Sequence, residues 1–227
     1  MKYIIIALLV SVGVFASTQQ VVNKPLYTVG HVPKNMSVAT KKARFYYLVE
    51  PAVQKVHAEL MAQYKNVSQD IKNSKNRNKI EALKKVYKVK SDKELLLALK
   101  PHPQSIVLAQ AAMESAWATS RFFVKANNIF GMWSVNKNEP RIAASEKRGG
   151  KKTIWLKKFD TIEDSIKAYY KTMGRGRAYK KFREVRYSTD DVMKIIKKLD
   201  KYSEMGDKYA QELGSMIRYN KLRKYDN

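Results

Sequence analysis

The stretch SIVLAQAAMESAWATSRFF, from Ser105 to Phe123, constrains this chain more than any other part of it. Ile106, Leu108, Ala109, Ala112, Met113 and Ala116 cover most of the circumference of a helix with apolar side chains. A helix this apolar is stable only where other elements surround it, so the chain must build a core about it. Its one acid is Glu114. Burial disfavours the charged form of a carboxyl and raises its pKa. A carboxyl still protonated near neutral pH is what a general acid requires. The residues alone leave a second reading open, in which Glu114 is a solvated residue near a helix end, paired with Arg121 or Lys125.

The rest of the chain supplies the surrounding elements. The first residues, MKYIIIALLVSVGVFA, carry a positive Lys2, an apolar run from Tyr3 to Val14 and short residues up to Ala16. That pattern predicts a signal peptide over 1–16, too short to cross a bilayer comfortably. The remaining chain is then periplasmic or secreted, with no stable membrane span. Residues 17–42 hold Pro25, Gly30 and Pro33 without helical spacing, and predict a linker or N-terminal arm. A single domain over 43–227 follows. KKARFYYLVEPAVQKVHAELMAQY has helical spacing with Pro51 as a kink or break. Ser91 with Glu94, and Thr161 with Asp164, are helix-cap signatures. RIAAS and TIWLKKF flank Gly149-Gly150 and predict a hairpin at about 140–160. The fold class is mostly α with a small β-hairpin lobe.

Composition narrows the partners. With 45 Lys and Arg against 20 Asp and Glu, the formal charge is +25. Such an excess suits a polyanionic partner or surface. For an exported chain, a cell-wall polymer or a phospholipid surface fits better than nucleic acid. The cations are scattered over every segment, and no recognition helix or aromatic-basic signature stands out. With no Cys and 3 His lacking ligand-like spacing, there is no disulfide or thiolate site, and neither a metal nor a cofactor is expected.

Several blocks together resemble a known family. LAQAAMESAWATSRFFVKANNIFGMW resembles the glucosaminidase signature of the family 73 glycoside hydrolases, and of their Bax-type members in particular. FYYLVEPAVQKV, FDTIEDSIKAYYKTMGRGRAYKKFR and YAQELGSMIRYNKLRKYD are similar to further blocks of the same family, in the same order. The resemblance implies a lysozyme-like helical domain facing a small β-lobe across a sugar cleft. It implies an endo-β-N-acetylglucosaminidase that cuts peptidoglycan glycan strands at the β-1,4 bond after N-acetylglucosamine.

In that frame Glu114 is the catalytic acid, protonating the glycosidic oxygen as an oxocarbenium-like state forms. Glu146, before the Gly turn, stands where the family places a second acid, with Glu139 as a fallback. The substrate's own N-acetyl group is a third route. Pyranose faces stack on aromatic rings. Trp133, Tyr169 and Tyr179 are expected in the cleft, with Trp155 covering it. Trp117 and Asn128 are further candidates for substrate contact. Trp117 and Phe130 also suit core packing, and Asn127 and Asn128 suit turn formation. Two rival functions remain: a lytic transglycosylase using the same Glu, and a wall-binding protein without activity.

Overall fold

The computed structural model describes residues 27–144 and 153–226. The expected signal peptide, Glu146 and the Gly149-Gly150 turn lie outside the described residues. Helix α4 (Gln104–Glu114) sits at the centre, with every residue from Ser105 to Ala112 buried. It packs against α1 (Val38–Lys72), α9 (Asp207–Tyr219) and a 3-10 turn at Leu222–Tyr225. The order between them is α2 (Arg77–Tyr87), α3 (Asp92–Leu99), α5 (Arg121–Ala126), β1 (Arg141–Ala143), β2 (Trp155–Lys157), α6 (Ile162–Arg175), α7 (Lys180–Ser188) and α8 (Val192–Ile196). Strands β1 and β2 pair antiparallel with Ile142 opposite Leu156, and Trp133 bridges to Leu156 beside them. The fold is therefore mostly α with one small hairpin, as the sequence predicts. Among the described residues, no helix is long and apolar enough to cross a membrane.

Local chemistry explains most boundaries. Ser91 accepts from the Glu94 amide while Glu94 reaches back to the Ser91 and Lys90 amides, a complete capping box for α3. Thr161 caps α6 in the same position relative to Asp164. By contrast, α4 begins at Pro103, which has no capping side chain. Its cap comes from far along the chain: Asp226 accepts from the Ser105 amide at 2.8 Å and from its hydroxyl at 2.7 Å.

Three expectations change. Pro51 does not break the helix: α1 runs continuously through it. An interior proline costs about 3 kcal/mol, and packing outweighs that. Phe45 and Val49 before it, and Ala52, Val53 and Val56 after it, are all buried in the main core. Second, α1 starts at Val38, capped by Ser37, and residues 28–31 are docked onto it. The Arg44 guanidinium is fully buried and donates to the carbonyls of Thr28, Val29, His31 and Ala118. Third, the apolar helix does not run on to Phe123. It stops at Glu114, and Ala116, Trp117 and Ala118 take left-handed conformations with φ of 50°, 61° and 62°. Left-handed backbone costs an L-residue about 1–2 kcal/mol. Two polar anchors hold it here. Ser115 Oγ accepts from the Ala118 amide and donates to the Ala111 carbonyl, and Arg44 takes the Ala118 carbonyl.

Candidate active site

The end of α4 delivers Glu114 to a cleft of about 480 Å³. Phe130, Trp133, Tyr169, Tyr179 and Tyr202 supply aromatic walls, and Thr172, Ser203 and Glu204 supply polar ones. The cleft lies between the helices and the segment that leads into the hairpin. A second recess of about 540 Å³, between α8 and α9, is lined by Met193, Ile196, Gly214, Arg218 and neighbours, with no aromatic ring. Sugar stacking needs rings, so of these two recesses the Glu114 cleft is the one suited to a glycan.

Glu114 is exposed to the cleft, yet the protein packed around its carboxyl desolvates it and raises its pKa. A hydrogen bond from the Tyr209 hydroxyl to Oε1, at 3.1 Å, pulls the other way by stabilising the carboxylate. Its position as the last residue of α4 adds to burial, because the negative end of a helix dipole disfavours a carboxylate. Neither Arg121 nor Lys125 pairs with it. Arg121 donates instead to the Ala143 carbonyl of β1. Tyr209 is buried on α9 and accepts from the Gln110 side-chain amide at 3.0 Å.

The other candidates divide. Trp133 is 59% exposed and lines the cleft with Tyr179, as expected of sugar-stacking rings. Tyr169 also lines it but is only 2% exposed. Its ring stacks under Phe130 at 4.1 Å, and its hydroxyl turns inward to Gln110 and His102. Tyr169 is thus a floor beneath Phe130 rather than a stacking face. Trp117 does not line the cleft. The left-handed turn swings it against Phe45 and Tyr46, with the Lys42 ammonium 5.1 Å from the ring centre.

Asn128 is buried and bonds the Met132 amide and carbonyl and the Lys157 carbonyl, so it ties the turn to β2. Asn127 caps α5 in a left-handed conformation and donates to the Phe159 and Asp160 carbonyls. Trp155 holds Arg141 at 4.2 Å across the hairpin and is not part of the cleft lining. Glu139 is paired with Lys157 at 2.7 Å and bonded to Ser134, which hold its pKa low. Among the described residues, the carboxylate that shares the cleft lining with Glu114 is Glu204, which the sequence did not single out. Tyr202 and Tyr209 were missed as well. Among the described residues, no cluster of His, Asp and Glu could hold a metal.

The family model described as mannosyl-glycoprotein endo-beta-N-acetylglucosaminidase matches residues 90–222. The chain belongs to the glucosaminidase family. The matched range runs from just before α3 into the last 3-10 turn and contains every cleft residue named above. Protein bax of Escherichia coli (strain K12) is 31% identical over 124 residues, 52% of this chain and 43% of that relative. The chain therefore spans less than half the length of that curated relative. Among solved structures, the catalytic domain of the autolysin Auto from Listeria monocytogenes has a TM-score of 0.53 at 17% identity, covering 84% of this chain and 90% of that one. This likeness shows the fold, which is the lysozyme-like helical arrangement expected of a glucosaminidase domain. A peptidoglycan hydrolase from Sphingomonas sp. A1 gives 0.45 at 21% identity, over 59% of this chain and 84% of that one.

Proposed function

We propose that the chain is a peptidoglycan hydrolase acting outside the cytoplasm. It cleaves the β-1,4 bond after N-acetylglucosamine with Glu114 as general acid. One observation carries the reading: a carboxyl with a raised pKa opens into an aromatic cleft, and Tyr209 holds one of its oxygens. Family membership supplies the glucosaminidase chemistry. The protein whose fold it shares is called an autolysin, and the +25 charge suits an anionic wall.

In this reading Trp133 and Tyr179 receive pyranose faces. Glu114 gives its proton to the glycosidic oxygen, and the resulting carboxylate is stabilised by the Tyr209 hydroxyl. The second acid is Glu146 by resemblance, with Glu204 as the alternative offered by the cleft lining. Glu114→Gln keeps the shape of the side chain and removes the transferable proton. It should lower turnover on purified sacculi by roughly 10²–10⁴-fold. Wild-type digests should release fragments with reducing N-acetylglucosamine ends. Anhydro-muramic products would make the enzyme a transglycosylase. Full activity in Glu114→Gln would remove Glu114 from the chemistry.

A further inference from the structure

Behind the Glu114–Tyr209 hydrogen bond runs a buried chain that nothing in the family chemistry requires. Gln110 Nε2 donates to the Tyr209 hydroxyl at 3.0 Å, the Tyr169 hydroxyl donates to Gln110 Oε1, and His102 Nε2 lies 2.8 Å from the Tyr169 hydroxyl. Gln110 and His102 are fully buried, and Tyr169 and Tyr209 nearly so.

The direction of every link follows from proton counting. A tyrosine hydroxyl has one proton to give. Tyr209 gives its proton to Glu114, so it must accept from Gln110, which turns the amide nitrogen toward Tyr209. The amide oxygen then faces Tyr169, which must donate to it. Tyr169 has no second proton, so it accepts from His102, whose Nε2 must carry the hydrogen. In a neutral imidazole that leaves Nδ1 bare. Nδ1 is indeed buried without a partner. A bare ring nitrogen tolerates that position better than an unpaired N–H, which is rare in buried sites.

We propose that His102, Tyr169 and Gln110 are positioning residues: through a chain of bonds that all donate toward Glu114, they hold the Tyr209 hydroxyl on Oε1 and reserve Oε2 for the transferable proton. The proposal rests on Glu114 being the general acid. Cutting the chain frees the Gln110 amide to turn over. Its oxygen then takes the Tyr209 proton, and Glu114 loses its donor.

The surroundings keep the polarity set. His102 faces Arg186 on α7, His57 on α1, and Tyr169 and Tyr170 on α6. Its burial, then the Arg186 charge, then His57, hold the imidazole neutral. The carboxyl at the other end accepts from Tyr209 on α9 and shares its cleft with Tyr179 before α7, and with Tyr202 and Glu204 before α9.

The test compares His102→Leu, His102→Gln and Tyr169→Phe with wild type on soluble glycan oligomers cut from sacculi, reading kcat, KM and the pH profile of kcat/KM. In Gln the side-chain amide nitrogen stands near the place of Nε2, so His102→Gln keeps the donor and His102→Leu loses it. His102→Leu and Tyr169→Phe should lower kcat roughly tenfold through misplacement of the acid. KM should hold, and the alkaline limb should move to higher pH, because an unbonded carboxylate is a stronger base. His102→Gln should return both readouts close to wild type. Equal defects in His102→Gln and His102→Leu would overturn the proposal in favour of ring packing. So would an alkaline limb that stays in place in Tyr169→Phe, which removes a single oxygen and tests the chain even if His102→Leu fails to fold. Glu114→Gln is run alongside: activity in that variant sinks the assignment of Glu114, whereas an inactive Glu114→Gln with unchanged limbs elsewhere sinks the chain alone.

Discussion

Replacing Arg44 with Met removes the cation that joins the N-terminal arm to the turn behind Glu114. The guanidinium donates to the Thr28, Val29, His31 and Ala118 carbonyls and is fully buried. Hydrogen bonds from a charged donor contribute about 1.5–3 kcal/mol each. Three of the four acceptors belong to residues 28–31, which can lift away and regain water, so most of their loss is recovered. The Ala118 carbonyl sits under α1 and cannot. Met also avoids burying a charge, which offsets several kcal/mol of desolvation. The expected net loss is about 2–4 kcal/mol, dominated by Ala118 and by the strain of the three left-handed residues it anchors. With a urea slope of about 2 kcal/mol per molar, the unfolding midpoint should fall by about 1–2 M. Arg44→Lys keeps the charge but not the fork of donors and should recover less than half of this. Proteolysis should then cut the arm first. A midpoint shift below about 0.3 M would show that the carbonyls find other partners, and would refute the claim that Arg44 holds the turn.

Trp133→Ala should raise KM for glycan oligomers by about 3–10-fold, the worth of one stacked ring, with kcat nearly unchanged; an unaltered KM would take Trp133 out of the sugar path. The raised pKa of Glu114 has a stability signature with a definite sign. Its contribution is fully present below the unfolded value of about 4.3 and is lost as pH rises through the higher folded value. Glu114→Gln should therefore gain on wild type in urea midpoint between acid and neutral pH, and a difference that does not change with pH would contradict the shift.

Much of the fold was legible because its cues are local. The Ser91 and Thr161 caps act over three residues, and the apolar circumference of 105–112 demands burial whatever surrounds it. The hairpin strands announced themselves by their composition around the Gly turn. What was not legible depends on partners distant in sequence. Nothing near Glu114 says that the helix ends there, since the turn needs Arg44 to anchor it. Trp117 suited either core packing or substrate contact, and only that turn, which sets it against Phe45 and Tyr46, decides between them. Pro51 looked like a break because propensity was weighed without the buried residues on both sides. His102 has no ligand-like spacing to the other histidines, and its bond to Tyr169 crosses 67 positions. Glu204 stands outside every block that resembles the family, and Tyr209, which opens one of them, gives no local sign of its bond to Glu114, 95 positions away.

The long reach of these bonds also sets a clock. Glu114 and the tyrosine that holds it are 95 positions apart, and α4 receives its cap from a residue 121 positions beyond Ser105. At about 5–20 residues per second of synthesis, the carboxyl leaves the ribosome about 5–20 s before its partner exists. Throughout that interval the central helix has no capping side chain, because Pro103 offers none. A partly made chain carries the acid without the machinery that tunes it. The bond to Tyr209 and the cap from Asp226 therefore both close late, when the last turn packs against α4.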